Sequence, residues 1–388
     1  MNPICAVLHV NPYPYYASLV AERPLYFDSD LKLWVASSAE AVSVVLLSDL
    51  CRVRPSVEPV PNALLGSSAG ELFRHLVRMT DGQNHCPLKG AITTTLSSLE
   101  EASVIVQSDV SARAIWSKLE GTPSLERVSA FAFRLSVHVL GCSLGVPTAH
   151  SLEVSSWIAA FVACLSPLAS TAQLERGKRA AGQLLRLFHN LMDSQLEAGL
   201  LLQLSLAARR FGLEDRGVIA ANAIGFMTQA YEVTAGLISN SLLLLANHPA
   251  LRTQIKDASD LLPQLVWELA RFDAPIQNTR RYLAQDSTIL GQEMCAGDAV
   301  LLVLAAANRD EAVNSDAQRF DLSRMNSCVY TFGVGVHACP GERLAVTMAV
   351  AGVRQFLESG FPLETLAQTV TYRKLVNARI AVWGSRNA

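Results

Sequence analysis

The chain has 388 residues, half of them hydrophobic, and a formal net charge of -2, so charge gives no basis for nucleic acid as the main partner. Apolar runs such as LISNSLLLLA are interrupted well short of the roughly 20 residues a membrane span needs, and the N-terminus lacks a signal-peptide pattern. Eight scattered cysteines with no CxxC pair suit buried thiols better than a disulfide framework, and a soluble cytoplasmic protein is expected.

PYYASLVAERP reads as a short helix, LKLWVAS as strand-like and AEAVSVVLLS as another helix, making a small α/β region. From about 103 to 261 the pattern is helical almost throughout, with breaks at GVPTAH, LSPLAS and ANHPA. QLVWELARFDAP is a further helix, ended before Pro275 because the residue preceding proline disfavours helical geometry. STILGQEMCAGDAVLLVLAAANRD reads as a hairpin around Ala296-Gly297-Asp298, then a strand, then a polar meander through Asp321. A helix returns at 342–359 and the tail TVTYRKLVNARIAVWG is strand-like. With no internal repeat or low-complexity linker, this order predicts one domain, 1–388, mainly α with small peripheral β-sheets.

The segment YTFGVGVHACPGERLAVTMA stands out. A glycine-rich loop presents Cys339 just ahead of a helix beginning near Pro340-Gly341. There a sulfur faces unpaired backbone N–H groups and the positive end of the helix dipole, which favour the thiolate. Gly333 and Gly335 permit a tight loop and close approach by a large flat group.

Phe332, Gly333, Gly335, His337, Cys339 and Gly341 follow the order FGxGxHxCxG, which resembles the haem-thiolate signature of the cytochromes P450. That resemblance implies the P450 fold, haem b as cofactor and Cys339 as axial ligand to its iron. It further implies that His337 bonds a haem propionate, that Phe332 packs by the sulfur and that the glycines leave amide hydrogens to tune it. Glu268 and Arg271 form ExxR on QLVWELAR, at a spacing that places them on one helical face. In the family such a pair joins an arginine of the meander, which the resemblance puts at Arg319 in AQRFDLSR. PIQNTRRYL resembles the stretch that sends an arginine to a propionate, implying Arg281. MTDGQNHCPLKGAI is similar to the family's HxxxR helix start, with His85 kept and Lys89 replacing the arginine fork by a point charge.

TQAYEVTAGLI resembles the family's central-helix motif (A/G)Gx(D/E)T(T/S), whose acid and first threonine carry protons to the oxygen site. In this alignment Gln229 and Ala230 replace the (A/G)G pair, and Ala230 is expected beside the cofactor. Glu232 matches the acid and Val233 takes the threonine's place, where it can neither donate nor accept a hydrogen bond. Thr234 follows, about 100° further round the helix. Gln229 lies one turn before Val233 and could offer an amide there, or could satisfy backbone instead. The alternative register, with Thr234 over the iron, displaces Glu232 from the acid site.

The function so implied is a haem-thiolate monooxygenase oxidising a small organic molecule, in specialised metabolism, with electrons from a separate ferredoxin or flavodoxin. The loss of the threonine implies the alternative of oxidative coupling, rearrangement or dehydration. A haem sensor is a third alternative, and no appended signalling domain accompanies it. Leu64, Leu65, Phe161 and Leu165 suggest an apolar substrate cavity, while Arg176, Lys178 and Arg179 suit either a solvated face or an anionic substrate or carrier protein.

Overall fold

The computed structural model describes residues 1–122, 124–194 and 198–384; Pro123 and residues 195–197 of the expected helical run lie outside it. The chain forms two compact units. The first comprises Met1–Pro55, Ala112–Ala132 and Glu232 onward, and the second comprises Ser56–Ser111 and Phe133–Tyr231.

The elements that position the site are α1 (Tyr13–Glu22), α2 (Ala39–Leu47), α3 (His85–Ser97), α4 (Arg216–Asn247), α5 (Leu262–Phe272) and α6 (Glu342–Glu358). Long helices dominate, and among the described residues none is long and apolar enough to cross a membrane. Strands β1 (Leu25–Asp28), β2 (Leu33–Ala36), β3 (Cys51–Arg52), β4 (Thr279–Leu283), β5 (Ser287–Ile289), β6 (Gln292–Met294) and β7 (Ala299–Leu302) follow. Short strands at Thr371–Tyr372 and Ala381–Val382 pair antiparallel in the tail.

The first unit contains a five-stranded sheet in the order β1-β2-β7-β4-β3. Val35, Leu301 and Val303 bury one face against α1, while Val42, Val45 and Leu46 of α2 pack on the other with Val300 and Leu302. Central β7 is buried on both faces, and its AVLL run lacks polar alternation for that reason.

The hairpin falls elsewhere than the sequence suggests. Leu290 (φ 47) and Gly291 (φ 76) turn β5 into β6, with positive φ at both positions as a type I′ two-residue hairpin loop has. The segment around Ala296-Gly297-Asp298 instead carries the chain from β6 into the larger sheet, where β7 pairs with β4 and β2. The expected strand also stops at Leu302, and Leu304–Ala307 forms one helical turn.

The N-terminal segment is fastened by buried charge. Arg309 lies between the rings of Tyr13 and Phe272, 3.4 and 3.6 Å from their centroids, and donates to the Phe272 carbonyl. Tyr13 donates to the Asp273 carboxylate, which also accepts from Arg379 at 3.2 Å. Arg379 donates in addition to the carbonyls of Val7, His9 and Val10. Burial, with Asp273 adding to it, holds the Tyr13 phenol well above its ordinary range.

In the second unit, Asn222 of α4 accepts from the Val77 amide at 3.0 Å and donates to the His75 carbonyl at 2.7 Å, closing the end of helix Ser68–His75. Further along α4, in the first unit, Gly236 lies against Pro275 so closely that a Cβ there would sit 2.4 Å from the proline Cβ. Gly236→Ala should therefore cost about 1–3 kcal/mol by overpacking, read as a lower midpoint in thermal denaturation.

Candidate active site

The loop bearing Cys339 is shaped by two left-handed glycines, Gly333 (φ 69) and Gly335 (φ 72). A side chain at Gly335 would also strike Leu47 of α2, its Cβ lying 2.9 Å from the leucine Cδ2. The Cys339 amide donates to the Phe332 carbonyl at 2.8 Å, and the Ala338 amide to Gly335 at 3.0 Å. These bonds set Cys339, which is exposed, directly before Pro340 and the N-capping Gly341 of α6. The first N–H groups of a helix lack intrahelical acceptors, so the sulfur stands where anionic charge is stabilised.

The loop is tied to α5 on its N-terminal side. The Tyr330 amide donates to Asn308 Oδ1 at 2.6 Å, the Thr331 hydroxyl to the Ala270 carbonyl, and Asn308 Nδ2 to Thr331 Oγ1 at 2.9 Å. The Phe332 ring stacks on Trp267, centroids 5.6 Å apart and planes at 21°, a geometry that contributes about 0.5–1.5 kcal/mol beyond burial. No spacing in the sequence links 267 with 332, and Trp267 escaped the sequence reading.

Glu268 and Arg271 meet in a bidentate pair, with Nε–H to Oε2 at 2.9 Å and Nη2–H to Oε1 at 2.7 Å. Arg271 is fully buried, and its remaining donors reach the carbonyls of Asn308, Ala317 and Arg319 at 3.1, 2.8 and 3.0 Å. The third side chain is Arg324, whose Nε–H donates to Glu268 Oε1 at 3.2 Å. This corrects the expectation for Arg319, which supplies only its carbonyl and is itself exposed. The reason is local: Phe320 packs edge-on against Phe272, centroids 5.5 Å apart, and turns its neighbour outward.

Helix α4 is buried at nearly every position from Ile219 to Leu242. The exceptions are Gln229, Ala230, Glu232 and Val233, all half-buried. Spacings of three and four residues put these on one face. Thr234 is fully buried, and among the described residues its hydroxyl has no hydrogen-bond partner. Val233 is thus half-buried on this helix, and Thr234 is enclosed. The Gln229 amide nitrogen folds back towards Gly225, 3.4 Å from where a Cβ would be. Tyr231 points away and packs on Phe133, ring centroids 5.0 Å apart.

Arg281 lies on β4 opposite Val300, is buried, and donates to the Arg280 carbonyl at 2.9 Å. His337 is half-buried in the cysteine loop. In the second unit, His85 begins α3 and is buried, and half-buried Lys89 follows one turn later. Leu64 and Phe161 are fully buried there, whereas Leu65 is 57% exposed. Among the described residues no group of three or more His, Cys, Asp or Glu could hold a metal ion.

The Cytochrome P450 family model matches residues 200–371. The biotin biosynthesis cytochrome P450 of Bacillus subtilis (strain 168) is 26% identical over 357 residues, covering 90% of this chain and 89% of that protein. The 20-oxo-5-O-mycaminosyltylactone 23-monooxygenase of Streptomyces fradiae is 26% identical over 356 residues, covering 88% of this chain and 81% of that protein. Among solved structures, P450BioI in complex with hexadec-9Z-enoic acid ligated acyl carrier protein matches with a TM-score of 0.81. It is 24% identical, with 96% of each chain covered.

Proposed function

We infer the function from the premise that the chain belongs to the cytochrome P450 family and is a haem-dependent monooxygenase. The proposal is a haem b enzyme with Cys339 as the thiolate ligand, oxidising a small organic molecule of specialised metabolism in the cytoplasm. One observation carries it: Cys339 is exposed on a loop held by its own amide, at the N-terminus of α6. The residues fit haem, which needs one protein thiolate on iron and cations for its propionates. Buried Arg281 supplies a cation in the same unit, and His337 a second donor. His85 and Lys89 keep their propionate roles on the family motif alone.

Bound haem supplies oxygen activation, consuming electrons and protons to place one oxygen atom in substrate and the other in water. The chain's part is to hold the sulfur as thiolate and to bring protons. Glu232 is the group on the half-buried face of α4 that can pass a proton, whereas Gln229, whose amide nitrogen folds back towards Gly225, would have to turn to orient a water. Val233 can do neither.

That gap favours the second reading, in which the enzyme couples, rearranges or dehydrates its substrate, or the substrate's own hydroxyl completes the relay. Electrons come from a ferredoxin or flavodoxin-type partner. Reduced, CO-treated protein should show the Soret band of thiolate-ligated haem; its absence removes the assignment. Strict dependence of turnover on O₂ and reductant would exclude a rearrangement.

A spectral-shift screen of free and carrier-bound candidates addresses the substrate. Arg176 and Arg179 are exposed for an acidic carrier, whereas Lys178 is engaged by Glu175 at 3.0 Å. Val233→Thr should raise the fraction of reductant converted to product by up to roughly tenfold if the hydroxyl limits proton delivery. Unchanged coupling would show that position 233 has no such control.

A further inference from the structure

Helix α5 presents two adjacent pairs with the same spacing. Glu268 and Arg271 face the meander and close the buried ionic network. Trp267 and Ala270, each one residue earlier, face the cysteine loop: the indole stacks on Phe332, and the Ala270 carbonyl accepts the Thr331 hydroxyl. The two contacts fall on consecutive loop residues. The second of these, Phe332, carries the carbonyl that accepts the Cys339 amide.

We propose that Trp267 is a positioning residue for Cys339, acting through the Phe332 ring and carbonyl; this rests on Cys339 being the thiolate ligand. The chain of contact is short and directional. The Trp267 plane fixes the tilt of the Phe332 ring, and with it the peptide that follows. That peptide's carbonyl anchors the Cys339 amide, and the amide sets where the sulfur stands relative to the first N–H groups of α6.

The setting of Trp267 leaves this stack little redundancy. Leu265, Val266 and Leu269 of α5 are completely buried, but Trp267 is only half-buried. Its other side opens on a cavity of about 290 Å³ lined by Pro263, Leu322 and Val346, with Gln264 and Ser327 among its polar lining residues. Phe332 is the aromatic ring on which the indole stacks, and removing the indole would leave the Phe332 ring beside open space. A shift of that ring would alter the hydrogen bonding of a ligand without removing the ligand, the kind of change that tunes a metal centre.

The test compares haem-loaded wild type with Trp267→Ala, Trp267→Phe and Leu322→Ala, reading the CO-difference spectrum of the reduced protein and its midpoint potential. Trp267→Ala should retain haem, lose part of the thiolate-ligated Soret band and shift in potential. Trp267→Phe, which keeps a ring for stacking, should restore both readouts. Leu322→Ala enlarges the same cavity and leaves the stack, so it should behave as wild type.

If Trp267→Ala does not accumulate, Trp267→Leu fills most of the volume without a ring. It should melt cooperatively while losing the thiolate signature. Wild-type spectrum and potential in the alanine or leucine variant would overturn the proposal, as would an equal shift in Leu322→Ala. A wild-type protein with no thiolate band would remove the premise, and the positioning role with it.

Discussion

Replacing Cys339 with serine should abolish the thiolate-ligated Soret band and cut turnover by on the order of 10³-fold or more, about 4 kcal/mol of barrier. A serine hydroxyl stays protonated at neutral pH and cannot take the thiolate's place as an anionic, electron-donating ligand. Stability of the haem-free chain is expected to change little, within about 0.5 kcal/mol, because the structural anchor of Cys339 is its backbone amide. A preserved thermal midpoint of that chain beside a lost band would place the effect on ligation. A thiolate band surviving in the serine variant would move the ligand to another of the eight cysteines.

Arg271→Ala is expected to be the most damaging single change to the fold. It leaves the Glu268 carboxylate buried and strips donors from the Asn308, Ala317 and Arg319 carbonyls together. Breaking a buried pair on one side costs about 3–5 kcal/mol, against a total stability of about 5–15 kcal/mol. The measurement is yield of folded protein and denaturant midpoint. Arg271→Lys should rescue little, since a point charge cannot form the bidentate pair and reach three carbonyls as well. Arg324→Ala should be milder, because Glu268 keeps Arg271 and the Asp321 amide at 3.1 Å. If Arg324→Ala proved as damaging as Arg271→Ala, the network would be centred on the wrong arginine.

These two expectations differ in how far the sequence alone could reach. FGxGxHxCxG is a local code: each residue answers a backbone or chemical need within ten positions, so Cys339 and its glycines can be read from the string. The Glu268–Arg271 pair is equally local, being one helical turn apart. Arg324 is not, since its role is fixed by Phe320 turning inward on Phe272, two rings that no spacing relates. The same limit hid the stack of Trp267 on Phe332, and the clamp in which Arg309 lies between Tyr13 and Phe272.

The displaced hairpin teaches a related point. Ala296-Gly297-Asp298 does turn, the Asp298 amide donating to the Cys295 carbonyl at 3.0 Å, yet the strands flanking it do not pair, and the hairpin forms at Leu290-Gly291. The turn propensity was met, but it did not choose the partner strand, because β7 must lie between β2 and β4 to bury both its faces.

By itself, then, the sequence determined the helical class, the resemblance to the cytochromes P450, the position of the cysteine and the composition of the central-helix turn, all carried by periodicity or short fixed spacings. Only the tertiary structure decided which arginine completes the buried network, which aromatic steadies the cysteine loop, and that Val233 shares a half-buried face with Gln229 and Glu232 while Thr234 is enclosed. Those outcomes depend on packing between segments far apart in the chain, where a side chain's direction follows from its neighbours in space rather than in sequence.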